Sequence, residues 1–159
     1  MPTLYVLMGL PGAGKSTWAA AQQNTVHVSS DAIRKELFGS ELVHIFNKSV
    51  MGIFRIRVRK ALRQGNDVVA DTCHMTRQQR QRTLAAAPQG TRKVLVYIDA
   101  SVRQAIKGDL KRKRHVTPFV ILIYKRRFQY PDVQAEGFDA TIHIVRNDKI
   151  DSILRSRKQ

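Results

Sequence analysis

Gly9-Leu10-Pro11-Gly12-Ala13-Gly14-Lys15-Ser16-Thr17 fits the pattern G-x-x-x-x-G-K-[ST], a glycine-rich loop that cradles phosphate. Its surroundings suit that chemistry. Thr3-Leu4-Tyr5-Val6-Leu7-Met8 is an apolar, β-rich run long enough for one buried strand. Thr17-Trp18-Ala19-Ala20-Ala21-Gln22-Gln23 is rich in helix formers, and a helix is predicted over about 15–23. Between strand and helix, glycines let backbone N–H groups turn inward around a phosphate without a Cβ clash. The helix N-terminus adds partial positive charge. Gly12, Ala13, Gly14, Lys15, Ser16 and Thr17 are therefore the expected nucleotide contacts. Lys15 can reach the β- and γ-phosphates, and the Ser16 hydroxyl can ligate Mg²⁺.

The alternation continues to the C-terminus. Further strands are predicted at Val26 to Val28, Asp67 to Asp71, Arg92 to Asp99 and Ala140 to Val145. Helical segments fall between them, at about 31–38, 41–64, 76–87, 101–110, 118–129 and 147–156. Alternation of this kind implies parallel βαβ units with helices on both faces of one sheet. Ligands then bind beyond the carboxyl ends of the strands, in loops beginning at residues 9, 29, 71 and 99. The 41–64 segment carries an apolar stripe of Val43, Asn47, Val50, Met51, Phe54, Val58, Ala61 and Leu62, with Arg55, Arg59 and Arg63 on another face. Gln64-Gly65-Asn66 reads as its stop.

The 159 residues suit one domain, 1–159, large enough for a real core. Charge is the unusual property: 28 Lys and Arg against 12 Asp and Glu give +16. Such a surplus raises self-repulsion and favours a polyanionic partner, with nucleic acid the leading candidate. Cys73 is the only cysteine, which rules out an intramolecular disulfide and a cysteine-based zinc site and suits a reducing cytoplasm. No apolar run approaches the length of a membrane span, and no signal peptide is evident.

Several residues near the predicted strand ends carry chemistry. Ser30 or Asp31 could cap the helix after the second strand. Capping does not explain Arg34, three residues on and on the same face as Asp31. An Asp to take the proton of an attacking hydroxyl and an Arg to hold an anionic group are what a phosphoryl acceptor site needs. Val68-Val69-Ala70-Asp71 has the strand-then-acid form that places a carboxylate at a nucleotide site. Asp71 could hold Mg²⁺ through water, contact the acceptor, or cap the next turn. His74 is expected to be a structural or solvated residue rather than a catalytic one. Lys107 to His115 is the densest basic run. It reads as a solvated cluster or as a lid supplying an arginine, Arg112 or Arg114, to the transferring phosphoryl group.

These residues together resemble the P-loop kinase domain of bacteriophage-type polynucleotide 5′-kinases, within the broader P-loop kinases. The resemblance covers nearly the whole chain. It rests on the Gly9–Ala19 segment, Asp31 with Arg34, Asp71-Thr72, the basic run ending in Thr117-Pro118, and Phe128-Gln129-Tyr130-Pro131 with Glu136-Gly137-Phe138-Asp139. It implies a three-layer α/β sandwich with a five-stranded parallel sheet and a helical lid at about 107–117. It also implies Asp31 as general base, Arg34 as contact to the acceptor phosphate, Asp71 and Thr72 in the acceptor site, and Arg112 on the ATP phosphates. Two positions depart from the family pattern: His74 stands where Asn is usual, and Thr117 interrupts the usual Val-Pro. No fused 3′-phosphatase domain is expected.

The resulting expectation is an enzyme that uses ATP and Mg²⁺ to phosphorylate a nucleic-acid hydroxyl, the 5′-OH of DNA or RNA foremost. The basic faces at Arg55/Arg59/Arg63 and 111–114 would track the strand backbone. A kinase for a hydroxymethyl-modified base, a small-molecule kinase and a nucleic-acid-binding NTPase are the alternatives.

Overall fold

The computed structural model describes residues 1–40, 47–111 and 116–146. Along the chain it runs β1 (Thr3–Met8), α1 (Lys15–Ala20), β2 (Thr25–Ser29), α2 (Ser30–Phe38), α3 (Asn47–Arg63) and β3 (Asp67–Asp71). It continues with α4 (Arg77–Leu84), β4 (Arg92–Asp99), α5 (Val102–Leu110), α6 (Pro118–Arg126) and β5 (Ala140–Val145). The five strands form one sheet in the order β2-β3-β1-β4-β5, with every pairing parallel. The chain thus leaves the central β1 toward β2 and β3 and later returns to its other side through β4. That reversal puts the carboxyl ends of β1 and β3 side by side, where open α/β sheets bind ligands.

Strand alternation divides the core in two. Leu4, Val6, Met8, Val68, Ala70 and Leu95 face one side and pack on Ile33 of α2 and Val50, Phe54, Val58 and Leu62 of α3. Leu7, Val69, Val94, Val96 and Ile98 face the other and meet Ala19 of α1, Ala105 of α5 and Ile121 of α6. Both faces are covered, as a parallel sheet requires.

Helix ends moved where local capping decided them. The Ser29 side chain accepts a hydrogen bond from the Ala32 amide, so Ser29 caps α2, and neither Ser30 nor Asp31 does. The Thr76 and Gln79 side chains form a reciprocal capping box that starts α4. α1 stops at Ala20, because the Ala21 and Gln22 amides fold back on Trp18 and Ala19. α3 ends as expected, with Gly65 at a φ of 84° and the Asn66 amide bonded to the Ala61 carbonyl. The 41–46 start of the predicted 41–64 helix, Val43 included, and the predicted 147–156 helix lie outside the described residues.

One core contact is ionic. Arg80 of α4 is fully buried, and its guanidinium grips Glu136 through two bonds, Nε to Oε2 at 2.6 Å and Nη2 to Oε1 at 2.7 Å. Its Nη1 also donates to the carbonyls of His74 and Gln129, each at 3.1 Å. Removing one member of a buried pair strands the other's charge. Glu136→Gln should therefore cost about 3–5 kcal/mol. At 2–4 °C per kcal/mol for a chain of this size, the thermal midpoint should fall by roughly 10 °C or more. A shift below 2 °C in calorimetry would mean that the pair stabilises nothing.

Candidate active site

The turn after β1 is shaped by glycine. Gly12 has a φ of 80°, and a Cβ there would run into the Ala105 carbonyl oxygen of α5. From the other side, a Cβ on Gly108 would run into the Gly12 carbonyl oxygen. Loop and helix therefore meet backbone to backbone. α1 opens at Gly14, which brings no side-chain cap to the first amides, and leaves them to a ligand. Lys15 is buried and folded back, its Nζ donating to the carbonyls of Gly9 at 3.0 Å and Leu10 at 2.9 Å. A buried ammonium that donates to two carbonyls, beside amides with no side-chain cap, suits an anion.

At the carboxyl end of β3 stands Asp71, buried and 3.0 Å from the Ser16 hydroxyl, which donates to its Oδ2. His27 of β2 lies 3.0 Å from the same oxygen. Burial pushes the Asp71 carboxyl up, but the His27 hydrogen bond, the Lys15 charge and the Ser16 hydroxyl outweigh it, and the group ends below the usual carboxylate range. A hydroxyl and an ionised carboxylate in contact suit a Mg²⁺ that takes its other ligands from phosphate and water. Among the described residues no cluster of three or more acidic, His or Cys side chains offers a fuller metal cage. Thr72 follows, half-buried.

Asp31 and Arg34 are together as the spacing predicted. Arg34 Nη1 donates to Asp31 Oδ1 at 2.8 Å, and Nη2 donates to Asn47 Oδ1 at 2.6 Å, at the start of α3. Asn47, expected in the apolar stripe, is exposed and serves this bond instead. Arg34 is 7 % exposed, and its Nε has no partner among the described residues. Tyr124 of α6 lies within electrostatic reach of Cys73, Arg34, Asp31 and Arg127, and burial, the largest influence, pushes its hydroxyl up. Burial likewise raises the Cys73 thiol, against the pull of Lys15 and with Asp31 and Asp71 opposing ionisation. Asp31 thus acts on both Cys73 and Tyr124, with Lys15 and Asp71 felt at the first and Arg34 at the second.

Arg112 and Arg114 lie outside the described residues, so the lid arginines are not placed. The 107–117 stretch begins inside α5, and the Asp109 carboxylate at its start accepts a bond from the Val116 amide at 2.7 Å.

The sequence had no local signature for His27, Tyr124 or Arg80. His27 meets Asp71 only once the β2–β3 register sets them on one face, and Arg80 finds Glu136 across 56 positions. His74 is structural. It is 1 % exposed at a φ of 44°, with Nδ1 2.7 Å from the Leu7 carbonyl and Nε2 2.9 Å from the Thr83 hydroxyl. A carbonyl only accepts, so Nδ1 carries the proton and Nε2 accepts from Thr83. Burial holds this imidazole neutral, with its pKa lowered from 6.5 to about 4. On acidification the unfolded imidazole takes up a proton that the folded one refuses. The stability is therefore whole above about pH 6.5 and falls as pH drops through the window to about 4. Chemical denaturation at pH 7 and pH 4.5 should show a loss about 2–3 kcal/mol larger in the parent than in His74→Asn. An equal loss in both would overturn this account.

The phosphate-binding loop, the Ser16–Asp71 pair and the 2-3-1-4-5 parallel sheet define a nucleotide-binding P-loop protein with a kinase-type α/β fold. The chain belongs to the AAA domain family, whose model matches residues 4–131. No curated protein matches it. Solved structures share the fold. The Pnkp1/Rnl/Hen1 RNA repair complex contains a chain that is 22 % identical with a TM-score of 0.70 over 87 % of this chain. The match covers 46 % of that chain, so this protein spans under half of it. A gluconokinase from Sinorhizobium meliloti is 20 % identical, with a TM-score of 0.61 and coverage of 97 % of this chain and 88 % of that one. Chaetomium thermophilum Kti12 in complex with ADP-AlF3 is 16 % identical, with a TM-score of 0.63 and coverage of 96 % and 94 %. Among the described residues, no helix is long and apolar enough to cross a membrane.

Proposed function

We propose that this chain is a kinase that transfers the γ-phosphate of ATP to a hydroxyl of a nucleic acid, the 5′-OH of DNA or RNA. The observation that carries the reading is Arg34. Among the described residues it is a buried guanidinium with one carboxylate partner, Asp31, and an Nε–H without a partner, and Asp31 acts on the same Cys73 thiol as Lys15 and Asp71. A cation placed so is suited to an anionic group on the acceptor, and a phosphate beside the reacting hydroxyl is such a group. The +16 net charge supports a polyanionic acceptor over a small metabolite.

Bound ATP with Mg²⁺ supplies the transferable phosphoryl group and screens its charge. The chain's own part is positioning. Lys15 leaves the Gly9 and Leu10 carbonyls for the β- and γ-phosphates, and Gly12, Ala13, Gly14 and Thr17 line the same cradle. Ser16 and Asp71 hold the metal. Asp31 takes the proton from the attacking hydroxyl, and Arg34 and Thr72 hold the acceptor. Arg112, with Arg114 beside it, is the proposed source of positive charge at the transferring group.

Labelled γ-phosphate of ATP, offered with a 5′-OH oligonucleotide, a hydroxymethyl-base duplex, a sugar panel or no acceptor, tests this. Label on the oligonucleotide is expected. Label only on the duplex or a sugar replaces the acceptor named here, and free phosphate regardless of acceptor replaces the kinase with an NTPase. Asp31→Asn should lower transfer about 10²–10⁴-fold while nucleotide binding persists. Transfer at the parent rate would leave Asp31 with no role as base. Arg34→Ala should raise the acceptor KM about ten- to hundredfold, the worth of a charged hydrogen bond, with little change in the KM for ATP. An unchanged acceptor KM would remove the clamp.

A further inference from the structure

A groove of about 830 Å³ opens between α3 and the end of α4, outside the site described above. Five cations line it: Arg55, Arg59, Lys60 and Arg63 from α3, and Arg82 from α4. No carboxylate lines it. Among the described residues, Arg55, Lys60, Arg63 and Arg82 form no ion pair. Arg59 is fixed by the chain itself, its Nε and Nη2 donating to the Ala86 and Ala85 carbonyls at 3.3 and 3.0 Å. The neighbouring face of α3 differs. There Arg57 is held by Glu36 through two bonds of 2.8 and 2.7 Å. The groove's positive charge is therefore left unneutralised while a carboxylate is spent one face away.

Helix-end electrostatics explains part of this. Lys60 and Arg63 lie in the last turn of α3, and Arg82 in the last turn of α4, where cations are favourable. It does not explain Arg55 in mid-helix, nor like charges at i, i+4 and i+8, which repel. It also does not explain Ile56 at the groove, left 67 % exposed beside those arginines.

The position of α3 supplies the rest. Its first residue, Asn47, bonds Arg34 at the acceptor end of the site. At 1.5 Å per residue Arg55 stands about 12 Å further along the helix and Arg63 about 24 Å. The cations recur about every 6 Å, near the spacing of successive phosphates in an extended strand. We infer that this groove holds the phosphodiester backbone of single-stranded nucleic acid, continuing away from the hydroxyl-bearing nucleotide along α3. The identification of the strand rests on the acceptor proposed above.

The test uses Arg55→Gln/Arg63→Gln/Arg82→Gln against a control of equal charge, Lys35→Gln/Arg92→Gln/Arg103→Gln, with Arg59 kept because it caps α4. Binding of 5′-phosphorylated DNA and RNA 15-mers, which cannot accept phosphate, is read by fluorescence anisotropy across salt. The groove variant should lose tenfold or more in affinity at low salt. Its log–log salt slope should flatten by about 2, from three lost contacts at about 0.7 each. The control should keep the parent slope. In transfer assays the groove variant should raise the KM of a 5′-OH 15-mer and leave that of a dinucleotide unchanged. Equal affinity and slope in parent and groove variant, or the same loss in the control, overturns the inference. A thermal midpoint lowered without any loss of binding also overturns it, leaving the cations as helix-end partners. Strand binding through the groove with no 5′ transfer to any acceptor sinks the kinase reading and spares the groove. Dinucleotide transfer with anisotropy indifferent to the groove variant does the reverse.

Discussion

A guanidinium removed from water must find all its hydrogen bonds inside the protein, and Arg80 finds them in two stretches of chain far apart in sequence. Glu136 takes two of its donors, and the carbonyls of His74 and Gln129 share a third. His74 belongs to the loop that follows Asp71, and Gln129 and Glu136 belong to the segment after α6. One side chain therefore locks the loop beyond β3 to the segment that follows α6. Desolvating such a pair is expensive, and the bidentate geometry offsets it only while every partner stays in place. The proposed acceptor side of the pocket inherits that requirement.

The donor side is built on different terms. Its carbonyls and ammonium satisfy one another, with Lys15 folded onto Gly9 and Leu10. Asp71 keeps its charge in a buried position because His27, Lys15 and Ser16 surround it.

Much of this was legible from residues alone. Apolar runs gave β1, β3 and β4 to the residue, because a strand buried on both faces has little other way to read, and the β-branched Thr141, Ile142, Ile144 and Val145 marked β5, although it is an exposed edge strand. The Asp31–Arg34 contact was legible because helical spacing alone brings i and i+3 together. The α2 cap was placed one or two residues late, at Ser30 or Asp31, since three adjacent polar residues, Ser29, Ser30 and Asp31, are all competent caps and only the end of β2 decides among them. His27–Asp71 and Arg80–Glu136 depend on register and on sequence separations of 44 and 56, which leave no local trace. Asn47 was placed in a stripe by periodicity, though its neighbour in space is Arg34.

The contact between Gly12 and Gly108 has a further consequence. Where two backbones touch with no side chain between them, there is no rotamer to relax and no methyl group to trim or add. The loop that grips phosphate and the helix that leads into the basic 112–115 stretch are thus geared to one another, and a shift in one is felt undamped by the other. Selection has no side chain to adjust at that joint. Any tuning of how the two halves move together has to come from α5's outward residues, whose substitution leaves the joint itself untouched.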